Sequence, residues 1–271
     1  MSMIHINDID LYYEDHGEGM PLVLIAGLAS DSQSWQPIIE ALSLQYRVII
    51  FDNRGIGRTK FSNSKMSIHD IADDCMALIK YLDLHSVHLL GHSMGGFVAL
   101  DCSIRYPNYI SKLILASTSA LNSERNNALF SDWSSYREKE MNLELWFRNI
   151  FFWIFTKEFF NDKELLNNAL QFVIEYPYPQ TEIAFSAQVN AIKEFNCSKS
   201  LASIRSETLA VYGKEDLLFP PIDSCKVLQE IPNVSFSSID HAAHSIHSEE
   251  PEKFVTIIQG FLTNTGDLNG Q

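Results

Sequence analysis

The sequence predicts an α/β protein: a mostly parallel central sheet with helices on both faces and an inserted helical cap. Three observations carry this expectation. From residue 3 to about 115, short aliphatic runs alternate with amphipathic segments, the pattern of βαβ units. After Ser119 the alternation stops, and a helix-rich, aromatic segment runs to about Asn196. Strand signals then return at Thr208 to Tyr212.

Taken in order, the expected strands are Ile4 to Ile6, Leu11 to Glu14, Leu22 to Ala26, Arg47 to Phe51, Val87 to Leu90 and Lys112 to Leu115. Between the fourth and fifth, Ile68, Ile71, Ala72, Cys75, Leu78, Ile79 and Leu82 recur at helical spacing, predicting a helix over Ser67 to Leu82 with Ser67 as its N-cap. The second half resumes with strands at Thr208 to Tyr212 and Val234 to Ser237 and a helix from about Pro251 to Leu262. Pro251 suits a first helical position, where its missing N–H costs nothing. The expected organisation is a core of residues 1–118 and 197–271, a helical cap at 119–196, and a frayed polar tail at 263–271.

The chain has 271 residues, 46% of them hydrophobic and 20% charged, within the range of a globular domain rather than a disordered chain. A formal charge of −14 leaves no basic field for a phosphate backbone or an anionic membrane, so nucleic acid is not an expected partner. The most apolar stretch, Leu145 to Phe155, is interrupted by Arg148 and Asn149 and is too short to span a bilayer. Residues 1 to 20 include Asp8, Asp10, Glu14 and Asp15 and show no secretory pattern, which makes the cytoplasm the expected location. Cys75, Cys102, Cys197 and Cys225 show no C-x-x-C spacing and are expected to be reduced, buried thiols.

Chemistry is signalled most strongly by Gly91-His92-Ser93-Met94-Gly95-Gly96, set between the run Val87 to Leu90 and the helical stretch Phe97 to Arg105. This is G-x-S-x-G in a strand-turn-helix context, which presents a serine hydroxyl at a sharp turn and lets the Met94 amide meet an oxyanion. A serine nucleophile needs a base and a group that orients the base. Asp216 follows a predicted strand and a glycine turn and is placed to orient; Glu215 is its neighbour and rival. His241, His244 and His247 crowd the last loop, and spacing alone does not choose among them. Their H-x-x-H-x-x-H spacing has no further ligand set nearby, so no metal and no cofactor is expected.

A second oxyanion donor belongs to the loop Ile25 to Ser30, where the Leu28 amide is the candidate and an ordinary glycine turn the alternative. The run Asp52 to Arg58 lacks the glycine pattern of a dinucleotide or phosphate loop and reads as a structural turn. Within the cap, Trp146, Phe147, Phe151 and Trp153 either pack on one another or roof an apolar pocket together with His92.

These residues resemble the α/β-hydrolase superfamily over nearly the whole chain outside the cap. Leu24 to Gly27 resembles its oxyanion strand end, with Ala26 in place of the usual histidine, and Phe51 to Gly57 resembles its Asp-x-Arg-Gly-x-Gly turn. Gly91 to Gly96 is similar to its nucleophile elbow. Gly213 to Pro220 is similar to its G-x-x-D-x-x-x-P acid turn, which selects Asp216. His244, followed by Glu249 and Pro251, is similar to its H-x5-E-x-P ending, which selects His244; Ala243 stands where glycine is usual. The resemblance implies a carboxylic ester hydrolase acting through Ser93, His244 and Asp216, similar to small carboxylesterases, carrier-protein methyl-ester esterases and enol-lactone hydrolases. The implied partner is a small-molecule ester of small or medium acyl length, free or borne by an acyl carrier protein. Lactone or carbon–carbon bond hydrolysis and a small-molecule receptor role are the alternatives, and the oligomeric state is left open.

Overall fold

The computed structural model describes residues 2–61 and 65–263. Its strands are β1 (Ser2–Ile6), β2 (Ile9–His16), β3 (Met20–Ile25), β4 (Tyr46–Phe51), β5 (Val87–His92), β6 (Ile110–Ala116), β7 (Glu207–Gly213) and β8 (Val234–Ile239). They form one sheet in the order β1-β2-β4-β3-β5-β6-β7-β8. The pairings of β1 with β2 and of β2 with β4 are antiparallel, and all others are parallel.

Helices α1 (Gln36–Ser43), α2 (Ile68–Tyr81) and α3 (Met94–Arg105) connect the first six strands. Between β6 and β7 lie α4 (Glu124–Glu138), α5 (Leu143–Ile154), α6 (Lys157–Asn161), α7 (Lys163–Ile174) and α8 (Glu182–Glu194). The chain continues through α9 (Pro221–Leu228), α10 (Ile246–Glu249) and α11 (Pro251–Thr263).

The central strands read as unbroken aliphatic runs because both of their faces are covered. Leu22, Leu24, Val48 and Ile50 pack with Ile38 and Leu42 of α1 and Phe254 and Ile258 of α11 on one face. Val23, Ile25, Ile49 and Phe51 pack with Ile71 and Leu78 of α2 and Val98 of α3 on the other. Ser67 caps α2 in a reciprocal capping box with Asp70.

Trp35 ends a short 3-10 turn, Ser32–Trp35, just before α1. Thr263 closes α11 and is not part of a frayed tail; the remainder of that expected tail, 264–271, lies outside the described residues. All four cysteines are free, but Cys225 on α9 is half-buried while the other three are buried. No helix among the described residues is long and apolar enough to cross a membrane.

The insertion between β6 and β7 is built from short capped helices. Side chains of Ser123, Asn142, Asp162 and Thr181 each accept a backbone amide at the start of α4, α5, α7 and α8. Phe151, Phe159, Leu166 and Leu170 form a small apolar centre of their own within it.

From β3 the chain steps outward to β4 and then returns across to β5 on the opposite side of β3. Loops leaving β3 and β5 therefore diverge, and a crevice opens at their carboxyl ends. Ala26 and Gly27 follow the first of those ends and Ser93 follows the second.

Candidate active site

Ser93 occupies the junction of β5 and α3 with φ 54 and ψ −119, a backbone conformation that side-chain-bearing residues avoid. Hydrogen bonds hold it there. Its N–H donates to Ala116 O at 3.0 Å, and its carbonyl accepts Gly96 N–H at 2.9 Å and Thr118 Oγ1–H at 2.8 Å. A side chain at Gly95 would overlap the Ile25 carbonyl, and one at Gly91 would overlap the Gly95 carbonyl. Glycine at both positions is what lets the start of α3 press against the end of β3.

The turn leaves Ser93 only 7% exposed, yet its hydroxyl is not among the sealed polar atoms. Among the described residues Ser93 Oγ has no hydrogen-bond partner. The loop after β3 lies directly against it, since a Cβ on Gly27 would sit 3.1 Å from Ser93 Cβ. That loop turns through Ala29 at φ 58. Among the described residues neither the Leu28 nor the Met94 amide donates to a protein acceptor.

The segment after β4 braces this loop at both ends. Asn53 Nδ2 donates to Ala26 O at 3.0 Å, and Asp52 Oδ1 accepts Ser32 N–H at 2.9 Å. Arg54 in turn grips buried Asp74 of α2 through two bonds of 2.6 and 2.7 Å. From the insertion, Tyr176 Oη–H donates to Asp31 Oδ2, and Gln188 Nε2 donates to Arg54 O at 3.2 Å.

Asp216 and His244 meet where the loops after β7 and β8 converge. Asp216 Oδ1 accepts the amides of Leu218 and Phe219, both at 2.9 Å, which fixes the carboxylate plane. Its Oδ2 lies 3.0 Å from His244 Nδ1. A carboxylate only accepts, so Nδ1 carries the hydrogen and Nε2 keeps its lone pair. Glu215 sits beside this pair, but the contact with His244 is made by Asp216. Phe219 stacks on the His244 ring at 5.8 Å.

The three clustered histidines separate by environment. His241 is exposed, whereas His244 and His247 are buried. His247 packs against Trp35 and His92, each at 4.7 Å between ring centres. Among the described residues no group of His, Cys, Asp and Glu is arranged to hold a metal ion.

His92 has a different setting from the pocket lining expected of it. Its Nε2–H donates to His244 O at 2.9 Å, so it ties the residue before Ser93 to the loop that carries His244. Among the cap rings, Trp146 is buried, donates its indole N–H to Trp133 O at 2.9 Å and packs on Phe147 and Phe185. Phe151 belongs to the insertion's own apolar centre. Phe147 and Trp153 remain half-buried. A cavity of about 350 Å³ between the β4 turn and the insertion is lined by Gly55, Lys60, Phe61 and Ile183 and does not include Ser93.

Burial, and then the neighbouring His244, pushes His247 down to about 3, and His92 also lies well below the ordinary histidine value, mainly through burial. Both stay neutral in the fold but take up protons in the unfolded chain near pH 6.5. Their contribution to stability is therefore full above that pH and is lost as pH falls below it, for His247 until about 3. Urea unfolding of His247→Leu is expected to show a shallower loss between pH 7 and 5 than the wild type. Equal slopes would show that His247 carries no such linkage.

A parallel sheet with a serine at positive φ on its switch point, and an Asp–His pair carried by the loops after β7 and β8, is the layout of an α/β hydrolase. The chain belongs to the α/β hydrolase fold family, whose model matches residues 20–251. It is similar to RutD of Azorhizobium caulinodans, named for carbamate hydrolysis: 27% identical over 96% of this chain and 98% of that protein. A thermophilic esterase from Thermogutta terrifontis, solved with malate bound, superposes with a TM-score of 0.84 at 26% identity, covering 94% of this chain and 93% of the esterase. The enol-lactonase of Burkholderia xenovorans shares the fold, with a TM-score of 0.88 at 20% identity over 97% of this chain and 100% of the lactonase. The protein is thus a hydrolase of this fold.

Proposed function

We propose that the protein is a serine hydrolase that cleaves carboxylic esters of small or medium acyl length through an acyl-enzyme. The observation that carries this reading is the 3.0 Å Asp216–His244 bond, in a loop whose backbone is bonded to the residue preceding Ser93. In the proposed reaction the hydroxyl proton of Ser93 passes to His244 Nε2 as Oγ attacks the ester carbonyl carbon. The hydroxyl-to-imidazole bond needed for this transfer tightens in the substrate complex. Asp216 stabilises the imidazolium, and the Leu28 and Met94 amides receive the oxyanion. The carbon–oxygen bond to the alcohol then breaks, and His244 returns its proton to that oxygen. Water, deprotonated by the same ring, releases the acid and restores Ser93.

Residues 119–196 act in this reading as a cap that sets acyl length, with the half-buried Phe147 and Trp153 as its candidate lining. Likeness to the Thermogutta esterase supports the ester class. Likeness to RutD favours one second reading, because a carbamate carbonyl admits the same attack and release.

A fluorophosphonate probe should label the wild-type protein stoichiometrically. p-Nitrophenyl esters of graded chain length, set against an aryl carbamate and a γ-lactone, should show a sharp chain-length cut-off for the esters. Absence of both labelling and turnover would overturn the reading; carbamate turnover exceeding ester turnover would select the second one.

A further inference from the structure

Besides its own contacts, His244 is flanked by backbone bonds on both sides. One residue before it, Ala243 N–H donates to Glu249 Oε2 at 2.8 Å; one residue after it, Ser245 N–H donates to Ile154 O at 3.0 Å. The other oxygen of the same carboxylate, Glu249 Oε1, accepts Thr156 N–H at 2.8 Å. A single side chain thus joins the loop carrying His244 to the stretch of insertion between α5 and α6.

This carboxylate is in a costly place. Burial raises its pKa, the like charge of Glu215 raises it further, and the amides of Thr156 and Ala243 act against both. A neutral side chain would avoid that penalty, but no neutral residue of this length offers two acceptor oxygens to two different backbone segments. The pair of bonds fixes the distance between residue 156 of the insertion and residue 243.

We propose that Glu249 is a positioning residue for His244, transmitting the placement of residues 154–156 of the insertion to the imidazole. The proposal rests on the serine-hydrolase reading. Glu249 meets the amides of Ala243 and Thr156 and the Thr156 side chain, and its effect on turnover runs entirely through the register of the loop. A cap segment displaced by a poorly fitting acyl chain would drag the base out of line with Ser93, so fit in the pocket is read out in the chemical step.

Glu249→Gln tests this, because it keeps the shape and one carbonyl acceptor but turns an NH2 toward the second amide. With p-nitrophenyl butyrate its kcat is expected to fall about 100-fold at every pH from 6 to 9, the size of loss that a 1 Å misplacement produces. KM should stay within about twofold, as expected when only transition-state alignment is lost. Hydrogen exchange at the Ala243 and Thr156 amides should speed up while the strands of the sheet keep their protection. Glu249→Asp, too short to span both segments, should behave alike.

Wild-type kcat in both variants would overturn the proposal. So would a loss of kcat accompanied by lost protection throughout the sheet, which would mark Glu249 as a scaffold residue. A wild-type protein that neither turns over esters nor takes the fluorophosphonate label would overturn the serine-hydrolase reading itself, and the proposal with it.

Discussion

Ser93→Ala is expected to lower ester turnover by about 10⁶-fold, the loss seen when the nucleophile of a serine hydrolase is removed. It should also abolish fluorophosphonate labelling. The same substitution should leave stability almost unchanged, because among the described residues the Ser93 hydroxyl has no hydrogen-bond partner to lose. The positive φ of 54 is equally strained for alanine and serine, so the backbone terms cancel. Activity and melting temperature measured on one preparation check both halves. Full labelling of the alanine variant would place the nucleophile elsewhere.

Asp216→Asn should cost about 10⁴-fold in kcat, by analogy with serine proteases. The local bonding explains why a nearly isosteric change is so damaging. Oδ1 accepts two backbone amides, Leu218 and Phe219, and that demand forces the asparagine oxygen into the Oδ1 position. The new NH2 then faces His244 Nδ1, which must give up its hydrogen to accept. Nε2 becomes the protonated nitrogen, and the ring can no longer act as a base. Glu215→Gln, one residue away, is the control and should stay close to wild-type activity. Comparable losses in the two variants would contradict the assignment of Asp216.

Much of the architecture was legible in the residues themselves. All eight strands lie where the sequence marks them, and the central ones read as aliphatic runs because parallel strands buried on both faces must be apolar throughout. Their ends were less visible: β2 runs from Ile9 to His16, well past Leu11 to Glu14, because Asp10 and Asp15 are exposed positions of the strand, where polarity carries no signal. The turn at Ser93 could be anticipated from Gly91 and Gly95, whose lack of a Cβ is a property of sequence alone. The setting of His92 could not. A histidine at the end of a buried strand looks the same in sequence whether it faces substrate or bonds to a carbonyl 152 residues away.

Cap aromatics posed a related difficulty. Helical spacing reveals that Trp146 and Phe151 are buried, but not that one meets Trp133 and Phe185 while the other closes a separate centre with Phe159 and Leu170. The bridge from Glu249 to Thr156 was equally hidden, since it depends on how the insertion lies over the loop after β8. Tertiary placement decided each of these, and periodicity holds no record of it.

Placing β7 and β8 last along the sheet also has a consequence for biosynthesis. Ser93 and the loop after β3 precede Asp216, His244 and Glu249 in the chain by more than a hundred residues. On the serine-hydrolase reading, a ribosome-bound nascent chain would therefore carry an idle serine until the segments that follow β7 and β8 have emerged. Hydrolytic capacity would then be switched on only as the last two strands join the sheet.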